Sequence, residues 1–375
     1  MVKRIAAEAL LKILGKDSLN VYLNYHLRGQ SIANKVANDL IVNRSKLYEK
    51  KVSGKIVDSH YGLNIVRGKG PIESDLVSSR KPIDGKHIEI KVSDSLLEGP
   101  RIVVDVRYYH LHKLHERISL IEQLRVLTNL LREYLTERHV IIASVTEDFQ
   151  KDFMKGPYDF RGGIHKETFN EILPRDETVV LDPYGEEELT LETMFEYKYF
   201  VIGGIVDRGN RFNGYTKKMA GNFKTIRISL EGDIKGVPDR INRIAEILVY
   251  LYCGVARSVK EAIKLAQAPI IARKRLPTEI KKRAVRFEAL GRRWLALSLS
   301  DYEELKDFMN FRDVDIEKVL DRDLIIITDE LFEKILKSKS FDSYGRTIYV
   351  PNVSEEEFKA NIIKHVGKKR VEYYG

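Results

Sequence analysis

The feature that most constrains the fold is a regular alternation of apolar strand-like runs with helix-like stretches between residues 101 and 251. The strand-like runs are short, nearly continuous in apolar residues and rich in Val and Ile; they cover 101–105, 140–144, 178–182, 199–202 and 225–230. Stretches with apolar residues three or four apart separate them, the longest being 114–134. Buried strands that alternate with helices are typical of a parallel sheet covered on both faces. The sequence therefore predicts an α/β domain with a mainly parallel sheet.

The composition changes on both sides of this region. Residues 1–97 mix short helical and strand-like pieces with basic, glycine-containing loops, whereas the chain after 268 is charged and strongly basic in places. We therefore predict an α+β module over 1–97, the α/β domain over 98–268 and a basic, mixed α/β domain over 269–375.

Several local patterns predict individual elements. Helical spacing covers 31–47, 164–173 and 186–195, and alternation at 88–92 indicates a strand. Pro238 is expected to start a helix, because the first helical turn tolerates a residue that lacks an N–H. Ser354 and Glu357 have the spacing of a capping box that opens the last helix.

The net charge of +9 on 375 residues favours acidic partners, with nucleic acid first among them. The single cysteine, Cys253, excludes disulfides and cysteine-based metal sites within the chain. No apolar run reaches the roughly 18 residues that a membrane helix needs, and Met1-Val-Lys-Arg4 is not followed by a signal-peptide core. We expect a soluble, cytoplasmic protein.

Residues 273–293 carry a strong excess of positive charge, and Glu279 and Glu288 are the acidic residues among them. Such a run is often a solvated face, but its imbalance favours contact with phosphates. The candidate phosphate-binding residues within it are Arg273, Lys274, Arg275, Lys281, Lys282 and Arg283.

The strand-like run 199–202 leads into Gly203, Gly204 and then Asp207. Glycines let a ligand approach the backbone, because no Cβ intervenes. Ligands of parallel sheets bind at the carboxyl ends of strands, where Asp182, 203–207 and Leu230 fall. We predict a cofactor site at this edge, the alternative being a buried strand with a charged turn.

Common nucleotide and metal motifs are missing. No Gly-x-Gly-x-x-Gly follows a strand, and the phosphate-loop spacing of 204–209 is followed by Asn-Arg instead of Lys-Ser/Thr. His110, His112 and His115 lack a complementary carboxylate pattern, so we interpret them as surface histidines and expect no metal.

Four blocks carry a family resemblance: Val180-Leu-Asp-Pro-Tyr-Gly185, Val201-Ile-Gly-Gly-Ile-Val-Asp-Arg208, Ile226-Arg-Ile-Ser-Leu230 and Gly236-Val-Pro-Asp-Arg-Ile-Asn242. Their order and content resemble the tRNA N1-methyltransferases that act on the purine at the ninth nucleotide. This family is a branch of the SPOUT superfamily, and its archaeal members look most similar. The resemblance covers roughly 100–267 and, more loosely, the N-terminal module. It implies a deep trefoil knot, which is an exception to the rule against threaded chains, with S-adenosyl-L-methionine as methyl donor and a monomeric enzyme.

The resemblance also implies residue roles. Asp207 matches the acid regarded as the general base. The cofactor-binding positions that it implies are Leu181, Asp182, Gly204, Arg208, Gly209, Leu230, Gly236, Val237, Pro238 and Asn242. Residues 208–211 match the loop beside the methyl-accepting pocket, and Arg208, Asn210 and Arg211 are its candidate tRNA-binding residues. Lys217 and Lys218 are further candidates for phosphate contact because of their charge. The stretch 230–236 is shorter than in eukaryotic members, and the segment after 268 has no counterpart that we can place.

The expected function is S-adenosyl-L-methionine-dependent methylation of N1 of adenine, guanine or both at position 9 of tRNA. Two alternatives remain open, namely a SPOUT methyltransferase for another RNA site and a non-catalytic basic RNA-binding protein. The sequence does not decide between the two purines.

Overall fold

The computed structural model describes residues 2–156, 158–207, 211–229, 237–267, 276, 277, 279–309, 324–343 and 346–366. The chain forms two compact units, one ending at Ala266 and the other beginning at Gln267. None of the helices in these described ranges has the length and apolar character needed to cross a bilayer.

The first part of unit 1 is a mixed six-stranded sheet with two helices. The strands are β1 (Leu19–Leu23), β2 (Lys46–Glu49), β3 (Ser53–His60), β4 (Leu63–Glu73), β5 (Leu76–Ser79) and β6 (Lys86–Ile88), in the order β3-β4-β1-β5-β2-β6. The helices α1 (Ile5–Leu14) and α2 (Ile32–Ile41) pack against each other. The predicted helix over 31–47 was too long, since Asn43 adopts a left-handed φ of 55° and ends it. The strand predicted over 88–92 lies instead at Lys86–Ile88.

The second part of unit 1 is a seven-stranded sheet whose order is β11-β13-β10-β12-β7-β8-β9. Its strands are β7 (Arg101–Asp105), β8 (Val140–Ala143), β9 (Gly163–Ile164), β10 (Thr178–Leu181), β11 (Glu187–Glu188), β12 (Tyr199–Gly203) and β13 (Lys224–Arg227). Every neighbouring pair is parallel. All residues of β7 and β10 are buried, so both faces of the central strands are covered. The predicted parallel α/β sheet is thereby confirmed.

The helices of this part are α3 (Leu114–Tyr134), α4 (Glu147–Phe153), α5 (Phe169–Ile172), α6 (Thr193–Glu196), α7 (Tyr215–Ala220), α8 (Ile241–Tyr252) and α9 (Val259–Ala266). Three predicted boundaries were wrong. The helices expected over 164–173 and 186–195 shrink to α5 and α6. Helix α8 starts at Ile241 instead of Pro238, because Gln123 Oε1 on α3 accepts the Ile241 N–H at 2.9 Å and caps it there.

Buried polar contacts join the first sheet's helices to α3 and the segment after it. Glu137 is fully buried, and its Oε2 accepts hydrogen bonds from Arg44 at 2.6 Å and from Arg132 at 2.9 Å. Arg44 also bonds Asp39 on α2 at 2.9 Å. The Glu137 N–H donates to Asn38 Oδ1, again on α2, at 2.7 Å. These contacts place both sheets in one compact unit, while the division at residues 97 and 268 stays a prediction.

Unit 2 contains a second six-stranded mixed sheet, in the order β17-β18-β14-β15-β16-β19. Its strands are β14 (Val285–Ala289), β15 (Arg292–Ser298), β16 (Leu324–Ile327), β17 (Lys339–Asp342), β18 (Thr347–Val350) and β19 (Ile362–Val366). The helices among its described residues are α10 (Leu299–Met309), α11 (Asp329–Leu336) and α12 (Glu355–Ala360). Phe287, Trp294 and Phe358 lie at the core. Ser354 Oγ accepts the Glu357 N–H, as the capping pattern predicts.

Candidate active site

The carboxyl ends of three strands lie side by side in the parallel sheet. Strand β10 has β12 on one side and β13 on the other, and Leu181 pairs with both Ile202 and Ile226. Asp182 continues the ladder, since its N–H donates to Ile226 O at 2.9 Å. Its buried carboxylate accepts the Tyr184 N–H at 2.9 Å, which closes the turn after β10. The strand ends that carry Leu181, Asp182 and the paired glycines are therefore adjacent.

The paired glycines end β12 next to the end of β7. The Gly204 N–H donates to Asp105 O at 2.8 Å. A Cβ on Gly204 would lie 2.7 Å from Asp105 O and 2.9 Å from Val106 Cγ1, whereas one on Gly203 would lie 3.3 Å from Ile205 Cδ1. The chain's own backbone thus accounts for glycine at position 204, where the sequence suggested close passage of a ligand.

Asp207 follows β12 and is exposed; the described residues around it, 205–207 and 211–212, are here named the Asp207 loop. Asp207 Oδ2 accepts the Phe212 N–H at 2.8 Å, which places Phe212 beside the carboxylate. The predicted residues Arg208, Gly209 and Asn210 lie outside the described residues. A carboxylate held in this way at the rim of a parallel sheet can accept a proton from a bound ligand.

The far end of this loop is fixed by Glu116 on α3. Glu116 is buried and accepts hydrogen bonds from Arg211 at 2.5 Å and from the Lys113 N–H at 2.7 Å. Burial alone would raise the pKa of Glu116, but these donors outweigh it and the pKa is lowered. Arg211, predicted to face tRNA, therefore already has a buried anionic partner.

His112 holds the near end of the loop. It is 4% exposed, its Nε2 accepts the Val206 N–H at 3.0 Å, and its ring centroid lies 5.2 Å from that of Phe212. Burial lowers the pKa of His112, which favours the neutral ring. The interpretation of His112 as a surface histidine was wrong, whereas His110 and His115 are exposed. No group of three or more potential metal ligands is present in the described part of the chain.

Asp105, at the end of β7, is a second residue that sequence reasoning missed. It is buried, and its carboxylate accepts hydrogen bonds from the Arg107 guanidinium at 2.9 and 2.8 Å and from Ser144 Oγ at 2.9 Å. Asn170 Oδ1 bonds Arg107 at 2.6 Å. The only available signal was its place at a predicted strand end, which it shares with Asp182.

The remaining predicted cofactor residues lie either at the start of α8 or outside the described residues. Val237 is half-buried and Pro238 is buried before α8, and Asn242 is half-buried in its first turn. Leu230 and Gly236 lie outside the described residues. The sheet edge thus offers an apolar surface at Leu181, a buried carboxylate at Asp182 and backbone groups, a set that suits a ligand with both apolar and polar parts.

The predicted phosphate-binding residues differ in their surroundings. Lys217 and Lys218 are exposed on α7. In unit 2, Arg273, Lys274 and Arg275 are outside the described residues, and Lys281 and Lys282 are exposed. Arg283 lies 3.4 Å from Glu279, 3.5 Å from Asp301 and 3.8 Å from Glu304. Its charge is balanced within unit 2, and Lys282 lies 3.7 Å from Glu279. The exposed Lys217, Lys218 and Lys281 are therefore the better candidates.

Comparison with known proteins gives concordant matches. A family model described as tRNA (guanine(9)-N(1))-methyltransferase TRM10/TRM10A matches residues 66–236. The tRNA (guanine(9)-/adenine(9)-N1)-methyltransferase of Thermococcus kodakarensis is 32% identical over 250 residues, or 64% of this chain and 66% of that protein. The tRNA (adenine(9)-N1)-methyltransferase of Sulfolobus acidocaldarius is 29% identical over 232 residues, 61% of this chain and 73% of that protein.

A solved structure matches as well. Sulfolobus acidocaldarius Trm10 in complex with S-adenosylhomocysteine aligns with a TM-score of 0.61 and 22% identity, covering 85% of this chain and 98% of that one. This likeness shows a shared α/β fold. The match to the Thermococcus protein spans slightly less than two thirds of its length, at 66%.

Proposed function

The chain belongs to the Trm10 family of tRNA N1-methyltransferases, and from this premise we propose that it methylates N1 of the purine at position 9 of tRNA. The observation that carries the proposal is the anchored Asp207 loop at the carboxyl end of β12. The Asp207 carboxylate lies directly after β12, and the carboxyl ends of β10, β12 and β13 are adjacent in the sheet. Parallel α/β sheets bind their ligands at such strand ends.

We propose that the same edge holds S-adenosyl-L-methionine, which when bound supplies an electrophilic methyl group. Leu181 and Pro238 would line the apolar parts of the ligand, Gly204 would contribute backbone groups, and Asp182 would accept from the ligand's hydroxyl or ammonium groups. Val237 and Asn242, at the start of α8, lie in the segment that the family resemblance assigns to the cofactor. The solved Sulfolobus relative with S-adenosylhomocysteine supports the choice of cofactor.

Asp207 would act differently on the two purines. Guanine N1 carries a proton, so its lone pair becomes available to the methyl group only when a base such as Asp207 takes that proton. Adenine N1 already has a lone pair, and its methylation leaves a positive charge that a carboxylate stabilises. The chain's contribution in both cases is to align N1 with the donor and to place the carboxylate beside the base. A purine drawn from the folded tRNA core must also leave its stack, at a cost of a few kcal/mol that phosphate contacts would offset.

The direct test incubates the purified protein with an unmodified tRNA transcript and methyl-labelled S-adenosyl-L-methionine, followed by nucleoside analysis. We expect labelled N1-methylguanosine, N1-methyladenosine or both, located at position 9. Label at another nucleotide would support the alternative RNA site. Binding of tRNA without label would support a non-catalytic RNA-binding protein and refute the proposed reaction.

The role of Asp207 is tested with Asp207→Asn. Removing a general base typically costs about 10²–10⁴ in rate, so single-turnover methylation of a guanosine-9 transcript should fall about 100-fold or more. Cofactor affinity should stay within about twofold, since the proposed cofactor contacts are elsewhere. The matched control is Asp176→Asn, an exposed carboxylate outside the site. An Asp207→Asn enzyme with unchanged rate would remove the base role.

We propose three further properties. The first is a deep trefoil knot in the α/β domain, supported by membership of the family and by the parallel sheet. The second is that residues 1–97 and 269–375 contact tRNA, supported by their exposed basic side chains, such as Lys281. The third is a cytoplasmic monomer, for which light scattering should give a mass near 43.3 kDa; a mass of twice this value would contradict it.

A further inference from the structure

We infer that His112 is a positioning residue for Asp207, because its imidazole fixes the loop that carries the carboxylate. The structural part of this inference stands on the contacts of the loop, and its consequence for catalysis rests on the proposed function. His112 is neither adjacent to Asp207 in sequence nor part of the four family blocks.

One ring contacts the loop on both sides of Asp207. The Val206 N–H, immediately before Asp207, donates to His112 Nε2 at 3.0 Å. Phe212, on the other side, lies 5.2 Å from the imidazole between ring centroids. Its backbone N–H in turn donates to Asp207 Oδ2 at 2.8 Å. Displacement of the ring would therefore release the peptide before Asp207 and the donor that holds its carboxylate.

The backbone of His112 is held by two hydrogen bonds. Its backbone N–H donates to Tyr109 O at 3.1 Å, which closes the turn at Tyr109–Leu111. Its carbonyl accepts the Arg117 Nε–H from α3 at 3.1 Å. Because Glu116 on α3 also binds Arg211, the loop is attached at two points to one stretch of backbone.

The hydrogen bond defines the tautomer of the ring. Nε2 accepts the Val206 N–H and is therefore unprotonated, so the proton of the neutral ring is on Nδ1. Burial lowers the pKa of His112, while the backbone carbonyls of Tyr109 and Tyr108 act against this by accepting from the ring. A proton on the buried Nδ1 serves these acceptors and leaves Nε2 to accept the Val206 N–H.

The test compares two substitutions of similar size. His112→Leu fills the space but removes the acceptor, whereas the Oε1 of His112→Gln can replace Nε2 as acceptor for the Val206 N–H. We expect His112→Leu to slow single-turnover methylation about tenfold, the effect of losing one buried hydrogen bond. Cofactor Kd and the KM for tRNA should stay within about twofold, and His112→Gln should keep most of the rate. His115→Leu, which changes an exposed histidine on α3, is the matched control.

A second readout does not depend on activity. Amide hydrogen exchange should become faster at both Val206 and Phe212 in His112→Leu and remain close to wild type in His112→Gln. Should the Leu variant fail to fold, His112→Met serves in its place. Unchanged exchange in the apolar variant, or equal rate losses in the apolar and Gln variants, would overturn the inference. If the wild-type protein does not methylate tRNA, the proposed function fails, and amide exchange alone decides whether His112 fixes the loop.

Discussion

At the scale of single residues, Gly204 shows how one amino acid can have two different explanations. The sequence suggests that a glycine pair after a strand admits a ligand. The structure shows Gly204 against the backbone of Asp105 and Val106, with no room for a Cβ. Gly203 has a looser environment, in which the nearest atom is the end of the Ile205 side chain. Packing of β12 beside the end of β7 is thus enough to require glycine at 204.

This difference predicts unequal costs for two adjacent substitutions. Gly204→Ala should destabilise the protein by about 1–3 kcal/mol, because the methyl group would overlap backbone atoms that cannot move separately. Gly203→Ala should cost less, since the Ile205 side chain can shift. Urea unfolding of both variants measures the difference, and equal stabilities would show that the contact at Gly204 is easily relieved.

At the scale of elements, the link between α2 and the segment after α3 is polar and buried. Glu137 accepts two guanidinium donors and also the Arg161 N–H at 2.8 Å, so both carboxylate oxygens are used. Arg44 joins Glu137 to Asp39. Buried charges are tolerated only when they are paired and hydrogen-bonded in this way. These contacts hold α2 to the segment after α3 within one compact unit.

Breaking this link should lower the free energy of unfolding by several kcal/mol. Glu137→Gln leaves Arg44 and Arg132 without their shared carboxylate, and loss of one partner of a buried pair typically costs about 3–5 kcal/mol. The control is Glu8→Gln, which removes an exposed partner of Lys12 on α1 and should change stability by less than about 1 kcal/mol. Denaturant unfolding at pH 7 compares them. A cost for Glu137→Gln as small as that of the control would mean that water replaces the carboxylate without penalty.

At the scale of the whole molecule, the net charge of +9 sets the expectation of a polyanionic partner. The structure distinguishes cations that are already paired from those that are exposed. Arg211 and Arg283 contact carboxylates, whereas Lys217 and Lys218 are exposed on α7, the helix that follows the Asp207 loop. Exposed cations close to the site are the ones that can exchange counterions for phosphates.

The double variant Lys217→Ala/Lys218→Ala should therefore weaken tRNA binding without slowing chemistry. We expect the KM for tRNA to rise. The slope of the logarithm of the tRNA association constant against the logarithm of the salt concentration should become less steep, by roughly one for each lost phosphate contact. The single-turnover rate at saturating tRNA should change little. The control is Lys198→Ala. Lys198 is an exposed lysine directly before β12, at the amino ends of the strands and so on the side of the sheet away from Asp207. An unchanged salt slope in the double variant would contradict a role in phosphate contact.

The sequence by itself determined the elements whose signals are local. Val and Ile runs over 101–105 and 199–202 identified strands that are buried on both faces, because burial imposes a continuous apolar pattern. Order along the chain then placed Asp207 at a strand end. Boundaries such as the start of α8 were missed, since the cap comes from Gln123 on another helix, 118 residues away.

Only the tertiary structure decided which side chains hold Asp207 in place. His112 bonds a backbone amide 94 residues away, and Glu116 bonds Arg211 across 95 residues. Neither partner leaves a local pattern, because hydrogen bonds between distant segments depend on how the strands β7 and β12 are brought together. Local periodicity reports burial and backbone conformation, whereas the choice of partner is made when the sheet assembles.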